Sequence, residues 1–336
     1  MVKIGVLGYG YWGPNLARNF HQLPESELAR IFDPQPARQE QMAEDFGRHV
    51  VGQSQAEIMD DPSIKAVCVA TPAATHYDLA REALEKGKHV FVEKPFVPDS
   101  GKAEELVNLA KAKRRVLLVG HVFLYNPRTI KMKEYVDSGE LGELHYLYSK
   151  RTSLGPRVRD DVNVVWDYAI HDIYMVHYLL PEEILTVRAS GAAYLNPGIE
   201  DVVFIELRSK SILAHIHCSW YDPIKRREMV LVGSKKMLLN DEMNIAQRLA
   251  VYYRGFAPMK GTDPLGNVNL RLFDDGVFAP SVSETEPLRL ECQDFIECIK
   301  HGRRPVADGK SGLQTVKIIE AVQQSLGHGG REVPLT

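Results

Sequence analysis

The tripeptide Glu93-Lys94-Pro95 closes an apolar run, Val90-Phe91-Val92. A buried parallel strand ending this way delivers a primary amine to the carboxyl edge of an open α/β sheet, where such sheets bind ligands. An amine fixed there can take and return a proton; on a solvated loop it is only a surface lysine. A second constellation lies upstream. Gly8-Tyr9-Gly10-Tyr11-Trp12-Gly13 follows the apolar strand Val2 to Leu7 and opens a segment with helical spacing at Leu16, Phe20 and Leu23. In that context Gly-x-Gly-x-x-Gly has a steric logic. The first glycine permits a tight turn, the second lets backbone approach a pyrophosphate, and the third permits close helix–strand packing. The N–H groups of the helix start then face the phosphates. Leu28 to Phe32 reads as a second strand ending in Asp33, twenty residues after Gly13. A carboxylate there bonds the adenosine ribose hydroxyls or, with Pro34 next, caps a helix. It would repel a 2′-phosphate, and Pro34 offers no cation to receive one. NAD is therefore expected over NADP, with Arg38, one turn along, the residue able to weaken that preference.

The elements that must position these groups alternate strand and helix through the first third, the grammar of a parallel doubly wound sheet. Ala66 to Ala70 is a strand ending in Thr71-Pro72, followed by a predicted helix from Thr75 to Lys86 with Gly87 as its C-terminal cap. The strand to Glu93 comes next, then a helix from Ser100 to Lys113 and a last strand, Val116 to Gly120. A cis Lys94–Pro95 bond is expected, because it turns the chain abruptly at the strand end while Lys94 stays extended, as a residue before proline prefers. The boundary falls near His121 to Asn126, giving domains 1–122 and 123–336. Beyond it, period-two segments rich in Val, Ile, Leu and Tyr (Leu144 to Lys150, Val202 to Arg208, Ile212 to Trp220, Glu228 to Val232) predict a mostly antiparallel sheet. Helices are expected over Asp167 to Leu180, Leu288 to Ile299 and Lys310 to Ser325. The Gly-, Pro- and Asp-rich stretch from Gly255 to Ser283 lacks a period and reads as loop with short strands.

Composition bounds the partners. The 336 residues carry 41 basic and 44 acidic side chains, a net charge of −3, which argues against a nucleic-acid partner. No apolar run approaches the length of a membrane-spanning helix. Met1 leads straight into the first strand, so no signal peptide is expected. Cys68, Cys218, Cys292 and Cys298 show no Cys-x-x-Cys spacing, so reduced thiols and a cytoplasmic location are expected. No metal is expected: His215 and His217 point to one face of a strand, but no acidic or cysteine partner is suitably spaced. Tyr125-Asn126-Pro127 either contacts cofactor or substrate or is a plain turn.

Four motifs together, Gly8 to Gly13, Ala70-Thr71-Pro72-x-x-x-His76, Glu93-Lys94-Pro95 and Trp166-Asp167-Tyr168-Ala169-Ile170-His171-Asp172, give a chain that resembles the Gfo/Idh/MocA oxidoreductases over essentially its whole length. The resemblance implies an N-terminal Rossmann domain and a C-terminal α/β domain with a large, mostly antiparallel open sheet. It also implies bound NAD or NADP, hydride transfer at a sugar or polyol carbon, and a homodimer or homotetramer built through the exposed sheet face. On its terms Gly8, Tyr9, Gly10, Tyr11, Trp12, Gly13, Asp33, Arg38, Thr71, Pro72, His76, Glu93 and Lys94 contact the cofactor. Lys94, Asp167 and His171 form the catalytic set, and Arg157 and Asn163 join them in binding substrate.

Asp167 and His171 lie four apart and so share one helical face. Histidine titrates near neutrality and can exchange a proton at little cost, while Asp167 would fix its tautomer or position the sugar; Lys94 and His171 could exchange the proton-transfer role. The bland alternatives are a core histidine and a helix cap. Some polyol dehydrogenases of the family carry a second aspartate three residues past the histidine, where this chain has Tyr174. The Trp-Asp-x-x-x-His-Asp form, with Ser219-Trp220-x-x-Pro223-x-Lys225-x-Arg227, looks more like members acting on nucleotide-linked sugars such as UDP-N-acetylhexosaminuronates. Arg151, Arg157 and Arg159, in the segment from Lys150 to Asn163, suit a diphosphate or uronate carboxylate, or form a solvated basic loop. The same fold also includes NAD-dependent glycosidases, free-aldose and inositol dehydrogenases, and dinucleotide-binding sugar sensors; retention of Lys94, Asp167 and His171 argues against a sensor.

Overall fold

The structure is a computed structural model that describes residues 1–155, 159–262 and 268–335. It divides into two compact units, Met1–Asn126 with Thr285–Lys317, and Pro127–Glu284 with Ile318–Thr336.

The first unit contains β1 (Val2–Leu7), α1 (Gly13–Gln22), β2 (Ser26–Phe32), α2 (Pro36–Phe46), the single turn α3 (Ala56–Met59), β3 (Ala66–Val69), α4 (His76–Glu85), β4 (His89–Glu93), α5 (Ser100–Lys113) and β5 (Leu117–Gly120). Its five strands lie in the order β2-β1-β3-β4-β5, all paired in parallel. Chain order reverses between β1 and β3, so the crevice outside their carboxyl ends is the switch point at which such sheets bind ligands. β3 and β5 are buried throughout, as apolar runs covered on both faces should be.

The second unit contains α6 (Pro127–Asp137), β6 (Leu144–Leu154), a π-helical turn at Val165–Ala169 leading into α7 (Ile170–Leu179), β7 (Thr186–Ala192), β8 (Val202–Arg208), β9 (Leu213–Ser219), β10 (Tyr221–Gly233), β11 (Met237–Asp241), β12 (Leu249–Thr262) and β13 (Val268–Phe278). The chain closes with α8 (Pro287–His301), α9 (Gly309–Gly327) and β14 (Val333–Pro334). Among the described residues nine strands form the second sheet, β13-β12-β11-β10-β6-β9-β8-β7-β14. It is antiparallel except where β6 runs parallel to β9. Alternation is clean in β8, where Val203, Ile205 and Leu207 are buried while Phe204 is 43% exposed, the mark of a sheet with one solvated face.

Two expectations change. The helix α8 belongs to the first unit rather than to a domain starting at 123. Its Phe295 meets Phe20 of α1 and Phe91 of β4 edge-on, with ring centroids 6.3 and 5.8 Å apart, a favoured aromatic geometry. The described residues of the stretch from Gly255 form longer strands than expected, those of the hairpin β12–β13, with Ala279 to Ser283 outside them. Most of its described side chains face solvent on both sides, so burial imposes no period of two.

Candidate active site

In the first unit, the turn after β1 is dictated by sterics. Gly8 has φ +92°, a region open to glycine, and a Cβ there would lie 2.5 Å from the Ala70 carbonyl oxygen and 2.9 Å from the Thr71 nitrogen. At Gly13 a Cβ would stand 2.3 Å from the Gly8 oxygen, so the start of α1 sits directly on the turn. Gly10 differs: a Cβ there would meet only the Arg38 guanidinium, at 3.6 Å. The turn thus offers bare backbone beside a cation, which is the cradle that a dinucleotide pyrophosphate requires.

Asp33 ends β2 under this turn. Its Oδ2 accepts from the Tyr9 N–H (2.8 Å) and from Arg38 Nη1 (2.9 Å), and its Oδ1 accepts from the Gln35 N–H (3.0 Å). Burial alone would raise this carboxyl, but the two N–H groups and the guanidinium outweigh it and hold it below the ordinary carboxylate value. Tyr9 was expected at the cofactor through the motif; its phenol is instead buried and donates to Asp45 Oδ2 (2.6 Å), so only its backbone borders the turn. Tyr11 is 90% exposed. Trp12, half-buried, sits at the N-terminus of α1 with its ring 5.8 Å from that of Tyr11.

The Lys94–Pro95 bond is cis, as expected. His76 is buried, with Nδ1 2.9 Å from the Pro95 carbonyl oxygen and Nε2 2.9 Å from that of Thr71. Its ring lies between the loop after β3 and the loop after β4, and while neutral it donates to one of the two carbonyls, so both ring nitrogens face backbone. Burial holds its imidazole below the ordinary value against the pull of those carbonyls. The Thr71 hydroxyl shares a hydrogen bond with that of Thr75 (2.7 Å), and Pro72 stands exposed.

Glu93 also faces inward. Its carboxylate lies against Gly120, where a Cβ would touch it at 3.0 Å, and Oε2 accepts the Lys94 N–H at 3.1 Å. Burial raises its pKa from 4.5 to about 7, opposed by that N–H and by the Lys94 charge. The folded chain therefore holds this proton where the unfolded chain has released it, and the contribution of Glu93 to stability falls as pH rises through the window from 4.5 to about 7. The full shift corresponds to about 3 kcal/mol. Glu93→Gln is expected to remove this slope, so urea unfolding at about pH 5 and about pH 8 should show the variant losing less stability than the parent. Parallel losses in the two proteins would mean that Glu93 does not carry this proton.

In the second unit, Asp167 lies in the π-helical turn and accepts from the Trp220 indole N–H at 3.0 Å, with Arg159 Nη1 at 3.8 Å from its other oxygen. The expected α-helix from Asp167 therefore starts only at Ile170, and the wider turn, a form frequent at functional sites, carries Asp167 into α7. His171 Nδ1 lies 3.0 Å from the Tyr174 hydroxyl. Tyr174 and Trp220 are thus neighbours of the proposed catalytic pair that the sequence motif did not assign. Tyr174 had a signal, since it lies three residues from His171 on a helix.

The expected anion-binding arginines separate. Arg151 is not a loop residue: it lies in β6, buried, with Nε donating to Asp172 Oδ2 at 2.6 Å. Arg159 pairs with Asp161, and Arg157 falls outside the described residues. Asn163 gives its amide to Glu200 (2.8 Å) and exchanges two bonds of 3.1 Å with Gln323. Tyr125, at the end of a 3-10 turn (Val122–Tyr125), is buried and donates to Asp294 Oδ2. His217 stacks on Phe204 at 4.4 Å, with His215 at 6.2 Å; among the described residues no group of three metal-ligating side chains forms. No described helix is long and apolar enough to cross a membrane.

Residues 2–121 match the model of an oxidoreductase family with an NAD-binding Rossmann fold, and residues 129–239 match the GFO/IDH/MocA C-terminal domain. The UDP-N-acetylglucosamine 3-dehydrogenase of Acidithiobacillus ferrooxidans is 26% identical over 94% of this chain and 94% of its own. Its solved structure superposes with a TM-score of 0.80 at 25% identity, covering 97% of each chain. The myo-inositol 2-dehydrogenase of Thermotoga maritima is 26% identical over 97% of this chain and 96% of its own. With both domain models matched in order and the glycine turn built as the fold requires, the chain belongs to the Gfo/Idh/MocA family of NAD-binding oxidoreductases.

Proposed function

We propose that the protein transfers hydride between NAD and a hydroxyl-bearing carbon of a nucleotide-linked sugar, such as a UDP-N-acetylhexosamine or its uronate. The observation that carries the redox half is the Gly8–Gly13 turn, with bare backbone at Gly10 and a carboxylate beneath it. When bound, NAD supplies the hydride acceptor; the chain must supply a base for the hydroxyl proton and a group to hold the reacting oxygen. Lys94 and His171 take these roles, with Asp167 orienting the sugar or the imidazole. Asp167 is itself fixed by the Trp220 indole, and Tyr174 fixes the His171 ring. The nucleotide-sugar half is supported by similarity to the UDP-N-acetylglucosamine dehydrogenase and by Tyr174, which stands where some polyol dehydrogenases carry an aspartate. Exposed Tyr146, Phe204 and Leu213 on one sheet face support a homodimer or homotetramer.

NADH formation measured across UDP-sugars, free aldoses and inositols tests the reading. Turnover of UDP-sugars above the rest is expected. Preference for inositols would redirect the substrate, and release of free sugar without net NADH would make the protein a glycosidase.

NAD should bind more tightly than NADP. Three of the acceptor positions on Asp33 are filled, leaving one on Oδ1 for a ribose hydroxyl, and its charge disfavours a 2′-phosphate. Asp33→Ala frees Arg38, whose guanidinium already lies by Gly10, and should narrow the gap between the two dissociation constants. Equal constants in the parent would refute the assignment.

A further inference from the structure

At the amino ends of β4 and β5, the edge of the first sheet opposite the glycine turn, lies an open pocket of about 620 Å³, within the roughly 300–1,000 Å³ range of small-molecule sites. Ala110, Leu117 and Pro305 form buried parts of its floor. Lys111 and Arg114 at the end of α5, Arg115 beyond it, Arg303 and Arg304 after α8, and Lys310 at the start of α9 surround that floor. We propose that this pocket is a second ligand site, one that takes a small molecule bearing an oligophosphate.

The balance of charge carries the assignment. Arg304 is bound by Asp308 (2.8 Å), and Arg303 reaches Asp294 at 3.8 Å. Lys111, Arg114, Arg115 and Lys310 have no carboxylate partner among the described residues. Helices α5 and α8 both end here, and each C-terminus contributes about half a negative charge, which offsets roughly one of those four cations. About three positive charges remain around one concavity, where a low-dielectric wall focuses their field. A merely solvated basic surface needs neither the pocket nor the apolar floor. The Arg115 side chain is held in place at the pocket, its Nε donating to the Gly87 carbonyl at 2.5 Å and its Nη1 to the Arg114 carbonyl at 3.5 Å. His89 lines the inner end, where its Nδ1 accepts from the Val116 N–H at 2.9 Å. Burial and the Arg115 charge push its pKa to about 4, so a neutral ring keeps Nε2–H as a donor. Several cations and a neutral donor over an apolar floor fit a multiply charged phosphate chain better than a single carboxylate, because phosphate oxygens accept from many donors at once.

Strand β4 runs from His89 in this pocket to Glu93 beside Lys94, so the ligand should not compete with the dinucleotide. This inference is independent of the proposed reaction. Calorimetric titration of the full chain saturated with NADH, at low ionic strength, tests it with two probes, inorganic tripolyphosphate and UTP. One saturable site per chain is expected for tripolyphosphate. Tighter binding of UTP would assign a nucleoside to the apolar floor, and equal affinities would assign the phosphate chain alone; either keeps the site. Lys111→Glu with Lys310→Glu should weaken binding by about 100-fold and leave NADH affinity unchanged. If that pair fails to fold, Lys111→Gln with Lys310→Gln should weaken it in the same direction. Lys113→Glu, whose parent lysine contacts the Glu85 carbonyl outside the pocket, should bind like the parent. Absence of saturable binding, competition with NADH, or an equal loss in Lys113→Glu would overturn the proposal.

Discussion

Replacing Lys94 by alanine is expected to reduce turnover by roughly 10²–10⁴-fold, the usual cost of losing a positioned acid–base group, while NADH binding stays close to that of the parent. The second half follows from how the loop is held. Lys94 keeps its backbone N–H on the Glu93 carboxylate, and the Pro95 carbonyl is bonded by His76; neither contact uses the lysine side chain. The glycine turn and Asp33, which carry the dinucleotide in the proposed reading, lie on other strands of the same sheet. His171→Ala should produce a loss of similar size. If the two groups serve one proton relay, the double variant should be little slower than either single one, because residues that act as a unit are not additive. NADH fluorescence gives the binding constant, and initial rates on the substrate found by the sugar screen give kcat. A Lys94→Ala protein with near-parental kcat would sink the proton-transfer role of Lys94, whatever the substrate proves to be.

Legibility in the sequence follows how local each constraint is. The first unit was readable because parallel strands buried on both faces appear as apolar runs, and because Gly8 and Gly13 answer to contacts under 3 Å with nearby backbone. The position of Lys94 at a strand end and the isomer of its bond to Pro95 were readable for the same reason. His76 was visible as a motif residue, but not its use. Only the fold brings the Thr71 and Pro95 carbonyls to its two ring nitrogens. The π turn that carries Asp167 leaves no mark in apolar spacing, since one extra residue in a turn is compatible with the same buried face. Arg151 was the plainest misreading. Its neighbours in sequence, Arg157 and Arg159, suggest a basic loop, whereas its partner Asp172 lies 21 residues away on α7. The length of the β12 and β13 strands was missed because alternation reports burial, and their described side chains have little to bury.

That buried pair sets the second large expectation. Asp172→Ala should destabilise the protein by about 3–5 kcal/mol, the cost of leaving one buried charge without its partner. Arg151 and Asp172 are both almost fully enclosed, at 5% and 2% exposure, so water cannot replace the lost carboxylate. Burial favours a neutral Arg151, yet the Asp172 charge and hydrogen bonds outweigh it and raise the guanidinium pKa; the arginine therefore stays charged and the cost falls on the fold. Replacing both members, Arg151→Met with Asp172→Leu, should recover much of the loss, because an apolar pair of similar volume removes the charge along with its partner. Activity separates this role from catalysis. Asp172 directly follows His171 in sequence, so a catalytic Asp172 would leave the stabilised double variant as inactive as the single one. A structural Asp172 predicts that turnover returns with stability, read by chemical denaturation and initial rates on the same samples. An Asp172→Ala protein as stable as the parent would show that Arg151 finds another partner, and the pair would then have no claim on the fold.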